Sequence, residues 1–205
     1  MSALAAFRTS ILALLSDPSN AIFSMDSVDQ SLRWALVEYS SRRPLIRTYQ
    51  LSVDATTGIH TLPADFVTRH ITKVELWNDD PDSIEDLLFY AYQRDEQWFV
   101  ETQSEVSAGE VLQISYSAIH TIDDLDSAAG TTVPLADEHL IQVGAAGRAA
   151  QMRALDRIET INMNKDVVQM YALLAADYLF FFAQFSTKEP GIFLVLPDFP
   201  TLDVS

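Results

Sequence analysis

The sequence contains no cysteine. A disulfide framework, a thiolate metal site and a cysteine nucleophile are therefore excluded. Histidine is scarce, with four in the chain, at His60, His70, His120 and His139. No two of them stand at the helical spacing of a metal pair, and HExxH does not occur. Glycine is also rare, at 6 residues, and neither a P-loop nor a GxSxG turn is present. "GAAGRAA" (Gly144 to Ala150) spaces its glycines like part of a nucleotide fingerprint. It sits inside a helical stretch and follows no parallel strand, so it is not a phosphate cradle. The last shortage is positive charge, with 13 Lys and Arg against 29 Asp and Glu and a formal net charge of −16. Such a surface repels nucleic acid, which excludes a sequence-reading DNA binder. It suits either plain solubility or a passage through which DNA slides without sticking.

Two apolar runs invite a membrane reading. "MSALAAFRTSILALLSDPSN" carries Arg8 inside its apolar run, and no small-residue cleavage site follows. It therefore reads as an amphipathic helix with Leu4, Phe7, Ile11, Leu14 and Leu15 on its apolar face. "VVQMYALLAADYLFFFAQF", residues 167–185, is nearly long enough to span a bilayer. Asp177 lies in its middle, at an insertion cost of roughly 2.5–3.5 kcal/mol. The run predicts a buried helix of a soluble body, and no membrane partner is expected.

What is present is a globular balance: 205 residues, 48% hydrophobic and 20% charged. That suits one domain, or one domain carrying an inserted subdomain. The pattern predicts an α+β chain: a helical bundle body, an inserted antiparallel β subdomain and an extended C-terminal tail. The body takes residues 1–44 and 134–188. Its second helix is capped by Ser24 or Asp26, buries Val28, Leu32, Ala35, Leu36 and Tyr39, and ends before Pro44. Residues 45–122 read as strands, in "LIRTYQLSV", "IHTLP", "HITKVELW", "LLFYAYQRDEQWFVET" and "EVLQISYSAIHTI". In "HITKVELW" alternation sets Ile71, Lys73, Glu75 and Trp77 against Thr72, Val74 and Leu76. "DDPDSIEDLLFYAY" is ambiguous and can begin with a helical turn. Residues 123–133 are expected to be a hinge loop.

The closing part returns to helix. One helix begins after Pro134 and carries a stripe of Ile141, Ala145, Ala149, Met152 and Leu155. Gly144 and Gly147 make it slim, at a cost of about 1 kcal/mol each relative to alanine. Close packing against the broad aromatic helix that follows is the expected compensation. The tail, residues 189–205, is apolar and interrupted by Pro197 and Pro200. An apolar tail does not float alone in water, so Ile192, Phe193, Leu194, Val195, Leu196 and Phe199 are expected on another subunit.

Chemistry is thinly represented. His120 with Asp123, Asp124 and Asp126 resembles a cation cup. A calcium loop needs alternating oxygen ligands, a glycine at the sixth place and a glutamate at the twelfth, and this stretch lacks that pattern. The reading here is a solvated loop whose aspartates hold turns. No catalytic residue, metal or cofactor is expected. Arg42, Arg43 and Arg47 form the one basic cluster of note. It reads either as charge balance at a helix C-terminus or as a dock for an acidic partner.

The order of these features resembles the head-to-tail connector, or adaptor, proteins of tailed bacteriophages. The likeness runs from a helix ending in "ALVEYSSRRP", through a β segment with "IHTLPADFV", to "YSAIHTIDDLDSAAGTTVPLADEHLIQVGAAGRAA". A "Y-x-A-x-H-T-I" strand end, a short loop, "T-V-P" before "D-E" and a small-residue helix carry most of it. The resemblance covers about residues 4–185. It implies a non-enzymatic virion protein of the neck, made in the host cytoplasm and assembled below the portal as a ring, usually of twelve copies. Its expected partners are the portal, its own copies, and a downstream tail or neck protein, with DNA passing through the channel. The implied helical interface includes Gly144, Gly147 and Arg148, beside the arginine cluster and the tail. The alternatives are another ring-forming tail protein, of tail completion or termination, and a small metal-binding or enzymatic module.

Overall fold

The computed structural model describes residues 2–63, 70–77, 85–95, 97–158 and 165–186. Within them the chain is α+β. Helices α1 (Leu4–Leu14) and α2 (Met25–Arg42) come first. Strands β1 (Leu45–Ser52), β2 (Thr57–Thr61), β3 (His70–Trp77), β4 (Glu85–Asp86), β5 (Phe89–Arg94), β6 (Gln97–Val106) and β7 (Val111–Ala118) follow. Helices α3 (Glu138–Ile158) and α4 (Lys165–Ser186) close the described chain.

The helices share one buried cluster. From α1 come Leu4, Phe7, Ile11 and Leu12, and from α2 Val28, Leu32, Ala35, Leu36 and Tyr39. Leu12 takes a core place where spacing predicted Leu14, which is only partly buried, because the apolar positions of α1 fill more than one line of its face. Ser24 caps α2, its Oγ accepting from the Ser27 amide at 3.2 Å. Between the helices the buried Asp17 carboxylate accepts from the amides of Ala21, Ile22 and Phe23 at 2.8–2.9 Å. Burial opposes that charge, but the three donors outweigh it and hold the carboxyl below its usual range. Arg8 clamps α1 to α2 through both oxygens of Asp29, at 2.8 and 2.6 Å.

Helix α3 lies against α4 at its glycines. A Cβ on Gly144 would sit 2.6 Å from the Phe182 ring, and one on Gly147 would sit 2.9 Å from Tyr178 Cβ. Neither distance is tolerable for an alanine without movement, so the two glycines set how closely the axes approach. The buried stripe of α3 runs through Ile141, Ala145, Ala149 and Ala154. Leu155, expected on that stripe, is 57% exposed. The helix turns it just past the edge of the contact.

The crossing at 119–137 is tied to the helices. Ile122, Leu125 and Val133 are buried in the helical cluster. The Leu4 amide donates to the Asp123 carbonyl at 3.2 Å, so the crossing caps α1. Thr131 Oγ1 accepts from the Asp123 amide and donates to the Ser2 carbonyl, and Thr121 Oγ1 donates to the Gly130 carbonyl. The segment read as a hinge thus has an anchor every few residues.

The strands form two antiparallel sheets, ordered β1-β7-β3-β4 and β2-β6-β5. Ile71, Val74, Leu112 and Ile114 of the first meet Val100 and Val106 of the second in a separate buried cluster. Alternation along β7 buries Leu112 and Ile114. In β3 it breaks. The register against β7 shifts between Ile71 and Lys73, and Thr72 is the extra residue. This bulge brings Ile71 and Val74 to the same buried side, correcting the two-sided assignment made from period 2. Strands β5 and β6 pair antiparallel, with Arg94 opposite Gln97, so "LLFYAYQRDEQWFVET" holds two strands. Residues 79–84 of the ambiguous stretch "DDPDSIEDLLFYAY" lie outside the described residues, while its Glu85–Asp86 pairs with β3 and its Phe89–Tyr92 lies in β5.

Candidate assembly interface

Helix α4 has two different sides. Its inner side packs Tyr171, Ala175 and Phe182 into the helical core. Tyr171 meets Phe23 edge to face at 5.7 Å, Phe182 meets Trp34 at 5.9 Å, and Tyr178 Oη donates to the Leu14 carbonyl at 3.1 Å. Its outer side carries Met170, Leu173 and Phe180, which are 46%, 59% and 71% exposed. Ala172, Ala176 and Ala183 lie among them, also exposed, with Gln169, Asp177 and Gln184 as the polar residues nearby. Only 17% of its most apolar window is buried, which corrects the expectation of a buried helix. By length and composition alone this is a helix that could cross a membrane. The physical reason for the correction is that α4 is apolar nearly all round, while its neighbours cover one side. That same excess of apolar residues was the sequence signal for an outward face, and the spacing argument passed over it.

The C-terminal end of α4 is held by the arginines at the end of α2. Arg42 donates to the Ala183 carbonyl at 3.1 Å and to the Ser186 hydroxyl. Arg43 donates to the carbonyls of Ser186 and Phe185 at 3.1 and 3.2 Å. These carbonyls belong to the last turn of a helix, which has no amides of its own to satisfy them. The charge-balance reading therefore applies to a different helix from the one expected. Arg43 also pairs with Asp137 at 3.0 Å, and that carboxylate accepts from Tyr39 Oη at 2.6 Å. Burial and the Asp137 charge raise the Tyr39 hydroxyl above its usual range. Arg47 is separate, exposed on β1 opposite Tyr116.

Other sequence candidates fall in different places. Gly144 and Gly147 face α4 of the same chain. Arg148 donates to Gln151 Oε1 at 2.7 Å and lies over the Trp34 ring at 5.5 Å. Ile192, Phe193, Leu194, Val195, Leu196 and Phe199 lie outside the described residues. In the acidic loop Asp126 bridges to Arg33 at 2.6 Å, and Asp124 and Asp126 take the left-handed backbone conformation that Asp tolerates. The Arg33 guanidinium holds the Asp126 carboxyl below its usual range, against a smaller effect of burial. His120 points elsewhere. Its Nδ1 lies 3.0 Å from the Thr132 carbonyl and its Nε2 lies 3.2 Å from the Arg43 carbonyl. No group of three or more His, Asp or Glu gathers around a common point among the described residues.

Two further surfaces were not foreseen. Leu36, Val37, Ile119, Ile122 and Leu125 line an apolar groove of about 310 Å³ beside the Arg33–Asp126 pair. On the β2-β6-β5 sheet, Ile59, Glu101 and Tyr90 stand opposite one another across three strands, with Ile59 and Tyr90 exposed. Tyr92 stacks on Phe99 in the same sheet at 5.4 Å.

No protein-family model matches the chain, and no curated protein matches it. Among solved structures, it matches a chain described as the neck of an empty GTA particle computed with C6 symmetry. The identity is 12%, the match covers 82% of this chain and 87% of that one, and the TM-score is 0.31.

Proposed function

We propose that the protein is a non-enzymatic head-to-tail adaptor of a tailed phage-like particle. In this reading it assembles as a ring, of twelve copies, below the portal, and joins the capsid to a downstream tail or neck protein. The residue pattern from "ALVEYSSRRP" to "GAAGRAA" supports the class. The observation that carries an assembly role is the outward side of α4, where Met170, Leu173 and Phe180 face solvent on a strongly acidic chain. An apolar side of this kind on a chain of net charge −16 is what a repeated subunit contact would cover. Acidity repeated around a ring would give a channel through which DNA passes without sequence-specific binding. The tail residues Ile192 to Leu196 and Phe199 would reach a neighbouring subunit once the ring forms.

The test is to mix the purified chain with the portal of the same particle and image the product. A twelvefold ring appended to the portal is the expected result. Rings that bind the tail tube and ignore the portal would replace this reading with a tail-completion or terminator role. An activity or a retained metal that disappears in an Asp123→Ala, Asp124→Ala double variant would replace both with a catalytic or metal-binding module.

A further inference from the structure

The β2-β6-β5 sheet has a buried side and an open side. His60, Val100 and Ala91 stand opposite one another across its three strands, and His60 and Val100 are buried. Neighbouring positions point the other way. They form two cross-strand rows, Thr61-Phe99-Tyr92 and Ile59-Glu101-Tyr90. Ile59 and Tyr90 are exposed. Tyr92 stacks on Phe99 at 5.4 Å, and the Tyr90 ring lies 6.5 Å from that of Tyr92. A carboxylate thus stands between an aliphatic side chain and the outermost ring of an aromatic group. Arg94, the next cation along β5, pairs with Asp95 at 3.6 Å, so the Glu101 charge has no partner among the described residues. Beside Tyr90 and Glu101 opens a hollow of about 420 Å³, lined also by Leu88 and Gln103. The Gln103 amide donates to the Leu88 carbonyl at 2.9 Å and fixes its rim. We propose that this open side of the sheet docks a basic segment of a partner protein, with one arginine of that segment stacked on Tyr90 and paired with Glu101.

Geometry and charge select that occupant. Directly opposed positions hold their Cβ atoms ~5 Å apart, so one planar guanidinium reaches both the Tyr90 ring and the Glu101 carboxylate. A cation within ~6 Å of a ring centroid is drawn to its face, and a guanidinium also forks two hydrogen bonds onto a carboxylate. A lysine ammonium lacks the plane that does both at once. The exposed Leu88 and the hollow beside it receive the aliphatic stem of the incoming side chain. Net charge acts in the same direction. A second copy brings its own −16 and is repelled, whereas a basic partner is drawn in from a distance. An uncharged sugar could stack on the rings but would gain nothing from that field. The surface belongs to the β half and stands apart from the assembly contact proposed for α4.

The probe is fluorescein-labelled hexa-arginine, titrated with the full chain at about 150 mM salt, where long-range attraction is screened. Tyr90→Ala and Glu101→Gln are each expected to weaken binding at least ~5-fold. Asp26→Asn, which removes one exposed charge from the helical half, is expected to leave it within ~2-fold. Hexa-citrulline, which keeps the shape of arginine without its charge, is expected not to bind, and hexa-lysine is expected to bind less tightly than hexa-arginine. Equal weakening by all three variants overturns the proposal and reduces binding to diffuse charge. Binding untouched by Tyr90→Ala overturns it as well. Dextran bound in a Tyr90-dependent way, with no such dependence for the peptide, gives the face to a carbohydrate instead. Dimers that dissociate in Tyr90→Ala, read by sedimentation, give it to a second copy. The comparison of arginine with citrulline uses the unaltered chain, so equal binding of the two peptides overturns the proposal whatever the variants do to folding. Neither portal nor ring enters these measurements, so failure of this idea and failure of the ring reading are visible separately.

Discussion

The helical half and the β half bury comparable kinds of side chain but are secured differently. The helical cluster draws on all four helices and on the 122–133 crossing, and ion pairs join its elements. The β cluster has Val53, Leu62, Ile71, Val74, Val100, Val106, Leu112 and Ile114 as its buried hydrophobics. Its ion pairs lie at the surface: Lys73, between Glu75 and Asp86, is about half exposed, and Arg94 and Asp95 are almost fully so. Solvent screens a pair this exposed, and it adds little to stability. The helical half should therefore resist change except where α3 and α4 meet, because two glycines leave no spare room there. The β half should respond to whatever weakens its small core.

The largest expected effect breaks the helical half at that meeting. Phe182→Ala removes the ring that covers Gly144 and leaves a cavity, at a cost of about 3–5 kcal/mol. Urea unfolding followed through Trp34, which packs on Phe182, is the measurement. Trp77 and Trp98 lie in the β half and report it separately. Gly147→Ala comes next. Its Cβ would meet Tyr178 Cβ at 2.9 Å and the Leu179 amide nitrogen at 3.1 Å, backbone that cannot turn aside. Overpacking costs about 1–3 kcal/mol and helix propensity returns about 1, so the urea midpoint should fall or barely move. A clear rise would show that the helices have room to separate. Ser24→Ala follows, with a loss of about 1 kcal/mol from the uncapped first turn of α2, again read in urea.

The smallest contrast is one of pH. Each half buries a histidine, and burial lowers the pKa of both His60 and His120. A lowered folded value means that the native state favours the neutral ring. Stability is then complete above the unfolded value of ~6.5 and declines as pH falls through it. For His60 burial acts alone, with Thr102 Oγ1 at 3.4 Å from its Nε2. For His120 the carbonyls of Thr132 and Arg43 and the charge of Asp137 oppose burial. Between pH 7 and 5 the Trp77 and Trp98 transition should weaken, and His60→Leu should remove that loss. A loss of the same size in the variant would contradict the assignment. Below pH ~4 the helical half should weaken as well, because Asp17, whose carboxyl is held low by three amides, loses its stabilising effect as pH falls below the ordinary carboxylate range and through its own lowered value.

Much of the fold could be read from local spacing. The buried face of α2 appears residue for residue in its 3.6 period, and Leu112 and Ile114 of β7 appear in a period of 2. The glycines of α3 pointed to close packing on an aromatic helix, and they meet Phe182, Tyr178 and Leu179. Spacing misled where a residue answers to something outside its own element. Thr72 bulges because β7 pairs past it. Leu155 falls outside the α3–α4 contact. Arg42 and Arg43 belong to the end of α2 in sequence but satisfy carbonyls of α4, more than 140 residues further on. The acidic loop looked like a place for chemistry, yet Asp126 is taken by Arg33 and His120 by two carbonyls.

By itself the sequence determined what chemistry is closed to this chain, the strong negative charge, the α+β class, the apolar inner face of α2 and most of those of α1 and α3. Those properties follow from composition and from short-range periodicity, which need no knowledge of neighbours. Only the tertiary structure decided which side of α4 faces water, which helix end the arginines hold, and how the 119–137 crossing is anchored. Each of these depends on where a distant segment comes to rest. In α4 the polar residues Gln169, Asp177 and Gln184 mark the exposed side, but large apolar residues stand on both sides, so only the position of α3 beside it decided that Met170, Leu173 and Phe180 would stay uncovered.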